Sequence, residues 1–295
     1  MTEPLGRAQI LPYLFGLAGR GADIEILSFE PEGTSEEALE ITRDKMRHAG
    51  IAWRPRVRSA KHGLGTKLWE SAGASFEGLA RALARRPQII HARSYLPAAV
   101  ADLVATLSPK AKLLFDCRGM LGDEYVDGGY WTRDRVEYKM LKRVEKRLFH
   151  RTEGLVVLTS ALRRWLDGQH VLGPQTEVAV IPCCVDLARF EASAEARAEA
   201  RASFGLAEGT VAVVYSGSLG NWYLEPEMAR FYAAVKARHA DARFVVLSRS
   251  KTDSLRAAFE AQGLPKEDIV TRSVAPDSMP RTLPLGDIGV SFIRP

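Results

Sequence analysis

Short apolar runs alternate along this chain with longer segments whose apolar positions recur every three to four residues. The first pattern marks buried strands and the second marks amphipathic helices. A helix is predicted over 9–18 (QILPYLFGLA), with Gly19 and Gly21 suited to its C-cap. A strand follows over 22–29 (ADIEILSF). The next segment, 34–50 (TSEEALEITRDKMRHAG), reads as a helix capped by Thr34 or Ser35 and closed by Gly50. Strands over 51–58, 88–92 (QIIHA), 111–116 (AKLLFD), 154–158 (GLVVL) and 177–182 (EVAVIP) are then separated by helices over 66–85, 95–107, 132–152 and 160–166. Runs such as LLF and LVVL lack polar alternation, which implies burial on both faces.

After about residue 184 the composition shifts to an Ala-, Arg- and Glu-rich stretch, and near residue 208 the alternation starts again. Strands are predicted over 211–218 (VAVVYSGS), 242–248, 268–274 and 287–293, with helices over 225–239, 252–263 and 279–285. The expected class is therefore α/β, with two Rossmann-like domains built on parallel sheets. Their boundaries are 1–183, a linker with a surface helix over 184–207, and 208–295.

Composition narrows the class of function. The 295 residues are 46% hydrophobic and 26% charged, ordinary for a chain with real cores. No apolar run approaches the ~20 residues that span a bilayer, and the opening MTEPLGRAQ lacks the build of a secretory signal. Cys117, Cys183 and Cys184 suit neither a disulfide scaffold nor a zinc site, so a reducing cytoplasm is expected. The net charge of +5 is compatible with phosphorylated substrates or an anionic membrane face. Nucleic-acid modules are absent from the sequence, so no nucleic-acid partner is expected.

In open α/β sheets ligands collect beyond the carboxyl ends of the strands, which selects a few junctions. Ser216-Gly217-Ser218-Leu219-Gly220 is a Gly/Ser turn whose N–H groups could meet a phosphate, although it is neither a full dinucleotide fingerprint nor a P-loop. Arg249 and Lys251 stand at the next strand end, where the competing reading is solvated charge. His91 ends a buried strand beside Arg93 and Ser94. The stretch 116–130 (DCRGMLGDEYVDGGY) reads as a long, carboxylate-rich loop, either functional or a solvated lid. In the helix over 133–151, Val136, Met140, Val144 and Leu148 form a stripe expected to pack on the sheet, leaving a basic face that could meet lipid headgroups or only solvent.

In order, the segments PLGRAQILPYLFGLAGRG, HARSYLPA, FDCRGMLGDEYVDGGYW, LVVLTSAL, VIPCCVDLARF and VVYSGSLGNWY resemble those of GT-B glycosyltransferases, specifically family-4-like enzymes of bacterial surface-glycan synthesis. The resemblance implies transfer of a sugar from a nucleotide-sugar donor, with retention of configuration and without a metal or other cofactor, to a glycan or lipid-linked acceptor. Both substrates would lie in a cleft between the domains. It implies catalytic roles for His91 and Arg118 and acceptor-side roles for Gly6, Arg93, Asp123, Glu124 and Asp127. Gly217, Ser218, Arg249 and Lys251 would bind the donor. Cys183-Cys184 occupies a turn that in related enzymes is often Asn-Gly, and is read as a variant of that turn rather than as redox chemistry.

The resembling enzymes carry a strand before the PLG loop, and a donor-binding segment with a Glu-rich motif after the strand that here ends in FIRP. The first domain is therefore expected to lack its initial strand and the second to be incomplete, with the flanking coding sequence supplying both. The implied location is the cytoplasm, with the basic helix offering a peripheral contact to the inner membrane face. Two other functions fit the same sequence. One is a non-catalytic remnant that binds a glycan or nucleotide or assists a complete partner. The other is a different reaction on the same architecture, such as sugar-nucleotide epimerisation, which the lack of a distinctive carboxylate pairing disfavours.

Overall fold

The structure is a computed structural model that describes residues 1–3, 5–58, 64–220 and 222–294, without the side chains of 58, 64–72 and 74. Pro4 of the opening PLG segment lies outside the described residues. The chain divides into two compact units, Met1–Cys184 and Val185–Pro295.

In the first unit a short π-helical turn, Gly6–Ile10, leads into α1 (Leu11–Ala18), β1 (Glu25–Pro31), α2 (Glu36–His48), β2 (Ala52–Arg58) and α3 (Leu64–Arg85). Then come β3 (Ile89–Arg93), α4 (Tyr95–Leu107), β4 (Lys112–Asp116), α5 (Leu121–Asp127), α6 (Val136–Arg151), β5 (Gly154–Val157), α7 (Ser160–Gln169) and β6 (Glu177–Val180). Side-chain caps explain where several helices start. Ser35 accepts from the Ala38 N–H at 3.2 Å at the head of α2, and Thr159 accepts from the Leu162 N–H at 3.1 Å at the head of α7.

All strand pairs of this unit are parallel, as expected, but they form a two-stranded sheet, β1–β2, and a four-stranded sheet, β3–β4–β5–β6. This division overturns the expectation that QIIHA is buried: as an edge strand, β3 leaves Ile89 56% exposed. The interior strands do bury their apolar runs, with Phe115 and Val157 at 0% exposure beside Leu148, Phe149 and Leu166.

Two further expectations are corrected. The stretch 116–130 is not all loop, since α5 forms over seven of its residues. In α6 the apolar stripe is covered only toward its end: Leu148 is 1% exposed, whereas Val136 and Met140 are 68% and 54% exposed. The first half of that helix lies past the sheet's cover.

The second unit contains α8 (Ala194–Ser203), β7 (Ala212–Ser216), α9 (Glu225–Lys236), β8 (Arg243–Leu247), α10 (Asp253–Glu260), β9 (Ile269–Arg272), α11 (Met279–Thr282) and β10 (Ile288–Gly289). Its parallel sheet has the order β10–β7–β8–β9. One face packs Met228, Tyr232, Phe244 and Phe259, and the other packs Phe204, Leu206, Val245, Leu247 and Leu285. Ala200 of α8 belongs to the second cluster. The stretch expected to be a linker with a surface helix thus forms α8, which packs beside Leu283–Leu285 and α11 and contributes Ala200 to this unit's core.

Candidate active site

Parallel register creates the centre of the first unit's site. Arg93 ends β3 and Asp116 ends β4, and the two are direct Cα partners across the ladder. His91, two residues before Arg93, projects from the same side of the strand, while Ala92 on the other side is buried. Arg118 arrives two residues beyond Asp116, as the chain leaves the sheet.

The two arginines converge on one carboxylate. Arg93 Nη1 donates to Asp116 Oδ2 and Arg118 Nη1 to Asp116 Oδ1, each at 3.3 Å. The Arg93 Nη2 also donates to Gln9 Oε1 at 2.8 Å, and Arg118 Nη2 to Cys183 Sγ at 3.0 Å. The Tyr13 ring lies 6.2 Å from the His91 ring, centre to centre. Of the predicted residues, His91, Arg93 and Arg118 are thus brought together. Asp116, Gln9, Tyr13 and Cys183 complete the group.

Electrostatics follow from this crowding. The protein packed around His91 pushes its pKa down; Asp116 opposes the shift and Arg93 adds to it, so the neutral ring is favoured. Burial raises the Tyr13 pKa, with Asp116 adding to it and the two guanidiniums opposing. Burial also lowers the Arg93 pKa, and repulsion from Arg118 adds to it.

The acceptor-side carboxylates divide. Asp123 accepts from Lys142 Nζ and from the Tyr138 hydroxyl, each at 2.9 Å. Burial works against its ionisation, but these donors hold its pKa low. Lys142 also pairs with the buried Glu145, which accepts from the Tyr95 hydroxyl at 2.9 Å. The same hydroxyl lies 3.0 Å from the Gly119 carbonyl, so its single proton is shared between the two acceptors. This network ties α5 and the Arg118 loop to α6 and α4, so Asp123 acts as a strap. Glu124 is different: burial and then Asp127 raise its pKa, and it packs over Gly119, where an added Cβ would stand 1.8 Å from its Oε1. Gly6 is buried at the start of the π-helical turn, three residues before Gln9.

In the second unit the turn after β7 holds Gly217 and Ser218 as expected, yet its N–H groups are largely occupied. The Gly217 N–H donates to the Leu247 carbonyl at 3.2 Å, the Leu219 N–H to Ser250 Oγ at 3.1 Å, and the Gly220 N–H to Glu225 Oε1 at 2.7 Å. The Glu225 carboxylate thus sits where an anion would bind. An added Cβ on Gly217 would stand 3.1 Å from the Tyr215 hydroxyl, so the turn packs tightly. Arg249 and Lys251 are exposed on either side of Ser250 at the end of β8. Ser250 links the two strand ends, a role its unremarkable place between two cations did not signal.

Among the described residues no group of three or more His, Cys, Asp or Glu is placed to hold a metal ion. A recess of about 380 Å³ in the second unit, lined by Phe190, Ala192, Arg197, Leu283, Pro284 and Gly286, lies before β10 and away from the strand ends that carry these residues.

Residues 8–184 match the sequence profile of the glycosyl transferase 4-like domain. No curated protein sequence matches the chain. Among solved structures, Anabaena HepE in complex with UDP and glucose is similar with a TM-score of 0.63 at 13% identity, over 92% of this chain and 74% of that one. Sucrose-phosphate synthase from Thermosynechococcus elongatus gives 0.58 at 12% identity, over 90% and 74%. WaaG, a glycosyltransferase involved in lipopolysaccharide biosynthesis, gives 0.59 at 13% identity, over 95% and 70%. These likenesses concern the fold, while the profile spans well over half of the sequence. The chain therefore belongs to the glycosyl transferase 4-like family and has the GT-B fold.

Proposed function

We propose that this protein transfers a sugar, with retention of configuration, from a nucleotide-sugar donor to a glycan or lipid-linked acceptor in surface-glycan synthesis. The convergence of Arg93 and Arg118 on Asp116 beside His91, within the segment that matches the family, supports this reading. The donor's anomeric C–O bond breaks as the acceptor oxygen bonds to the same carbon. The acceptor proton leaves with the diphosphate oxygen, so no side-chain nucleophile is needed. The main task is to stabilise the charge that builds on the diphosphate. Gly217, Ser218, Arg249 and Lys251 take that part in the second unit, without a metal. His91, Arg93, Arg118, Glu124 and Asp127 take the acceptor side in the first. UDP serves as the nucleotide in this reading because HepE has been solved with it.

The test is release of UDP from UDP-glucose with a mixture of glycan acceptors, with and without EDTA. Release that EDTA leaves unchanged is expected. Release that EDTA abolishes would refute metal independence, and binding without release would favour the non-catalytic reading.

The peripheral membrane contact is part of the same proposal, with a shifted face. No described helix is long and apolar enough to cross a membrane. Lys142 and Arg147 are engaged by Asp123, Glu145 and Asp102, so they are poor candidates for lipid. The exposed Val136 and Met140 share a helix face with Lys139 and Arg143. Tyr130, 55% exposed, lies just before that helix. Apolar side chains flanked by cations suit an anionic headgroup layer. With about 1 kcal/mol per basic residue near such a surface, reversing Lys139, Arg143 and Lys146 to Glu is expected to weaken binding to phosphatidylserine vesicles at least about tenfold. Unchanged vesicle flotation would reject the contact.

A further inference from the structure

The charges around Asp116 do not balance. Two guanidiniums share a single carboxylate, and the adjoining imidazole favours its neutral form. The vertical order is informative. Asp116 lies beneath, with 6% of its side chain exposed, while Arg93 and Arg118 remain 16% and 23% exposed above it. A solute reaching this point meets the cations first.

Neither guanidinium is locked to Asp116. Each makes one contact at 3.3 Å, longer than the ~2.7–2.9 Å of a strong charge-assisted bond and without the paired geometry of a fork on a carboxylate. An arginine offers five N–H donors. Arg118 otherwise donates to the Cys183 sulfur, a weak acceptor, and Arg93 to the neutral Gln9 amide. Donor capacity on both side chains is left over.

The backbone between β3 and α4 is strained at the same place. Ser94 has φ 72° and ψ 169°, a region otherwise occupied essentially by glycine. Its N–H is held by the Asp116 carbonyl at 3.1 Å. Its side chain makes no cap to α4, so the positive end of a thirteen-residue helix starts uncapped directly after Arg93.

We propose that Arg93 and Arg118 form a binding site for an oxyanion, a carboxylate or phosphate carried on the acceptor sugar, with Asp116 as the counter-charge that keeps the two cations together when the site is empty. The assignment to the acceptor rests on the glycosyltransferase reading; the oxyanion site does not. The substrate class is thereby narrowed to acidic glycans, with a uronate or a sugar phosphate next to the hydroxyl that receives the new sugar.

The test is calorimetric titration of the full chain with methyl glucuronoside, glucose 6-phosphate and methyl glucoside, each with and without saturating UDP. Two charge-assisted contacts are expected to make at least one anionic sugar bind about tenfold or more tightly than the neutral one, and this preference is expected to persist in the presence of UDP. A response to methyl glucuronoside alone assigns a carboxylate, and a response to glucose 6-phosphate alone assigns a phosphate. Arg93→Gln and Arg118→Gln, first shown to melt cooperatively, are expected to erase the preference. Equal binding of all three sugars by the wild-type chain would overturn the proposal without needing a variant. Displacement of the anionic sugar by UDP would also overturn it, assigning the pair to the donor diphosphate. If UDP shows no binding while the anion preference stands, the oxyanion site survives and the glycosyltransferase reading fails.

Discussion

Asp116→Ala is expected to destabilise the first unit by about 1–3 kcal/mol, because two partly buried guanidiniums lose their shared acceptor. The carboxylate is 6% exposed and is contacted by both Arg93 and Arg118. Without it the two guanidiniums face each other, and repulsion already contributes to the lowered Arg93 pKa. The β3–β4 ladder keeps its backbone pairs, so the damage is local in cause. At a temperature where the variant remains folded, UDP release is expected to fall roughly 100-fold, the scale of loss when positioned groups shift by about an ångström. Urea denaturation and the release assay measure the two effects separately. A change in stability below about 0.5 kcal/mol, the range of ordinary surface substitutions, would contradict the central place given to this carboxylate.

The second large effect is expected at Glu30. This side chain is fully buried at the end of β1 and accepts from Ser28 Oγ at 2.6 Å, from the Thr2 N–H at 2.8 Å and from Thr2 Oγ1 at 2.6 Å, beside the Met1 amino group. Burial opposes ionisation, but these donors bring its pKa from 4.5 to about 2. A depressed carboxylate pKa contributes stability that is complete above the unfolded value and is lost as pH falls through the folded value. The window therefore runs from about pH 4.5 down to about 2. At about 1.4 kcal/mol per unit, the contribution is on the order of 3 kcal/mol at neutral pH. Glu30→Gln is expected to remove that amount and to flatten the acid limb of the stability curve over that window. An acid limb unchanged in the variant would show that the donors do not hold the charged form. The residue also bears on the site: it anchors Thr2, and the turn that follows presents Gln9 to Arg93.

How much of this was legible in the sequence depended on how local each cause is. The strands were legible because short apolar runs such as KLLFD and RFVVL have few ways to be buried. His91, Arg93 and Arg118 were legible because parallel sheets direct chemistry to strand ends, and the register made Arg93 and Asp116 neighbours. Gln9 was not, since its contact with Arg93 spans 84 positions and no local pattern encodes it. The short helix α5 was missed because its Gly122, Asp123 and flanking Gly128 weigh against helix. It is held instead by Tyr138 and Lys142 reaching Asp123 from α6. In α6, periodicity identified the stripe from Val136 to Leu148 but could not tell which end the sheet covers. The turn at Gly217 was read as a candidate phosphate-binding turn. That Glu225 already satisfies the Gly220 N–H depends on how α9 returns to the turn, which spacing does not disclose.

That occupied turn makes donor binding the sharpest trial of the proposed function. For UDP to bind there, the Glu225 carboxylate must yield the Gly220 N–H or the phosphates must rely on Arg249, Lys251 and the Ser218 backbone. Calorimetric titration of the full chain with UDP is the direct measurement. Saturable one-to-one binding is expected, weakening about tenfold or more when Arg249 and Lys251 are both replaced by Ala through the loss of charge-assisted phosphate contacts. No saturable heat with UDP or any other nucleoside diphosphate would contradict it.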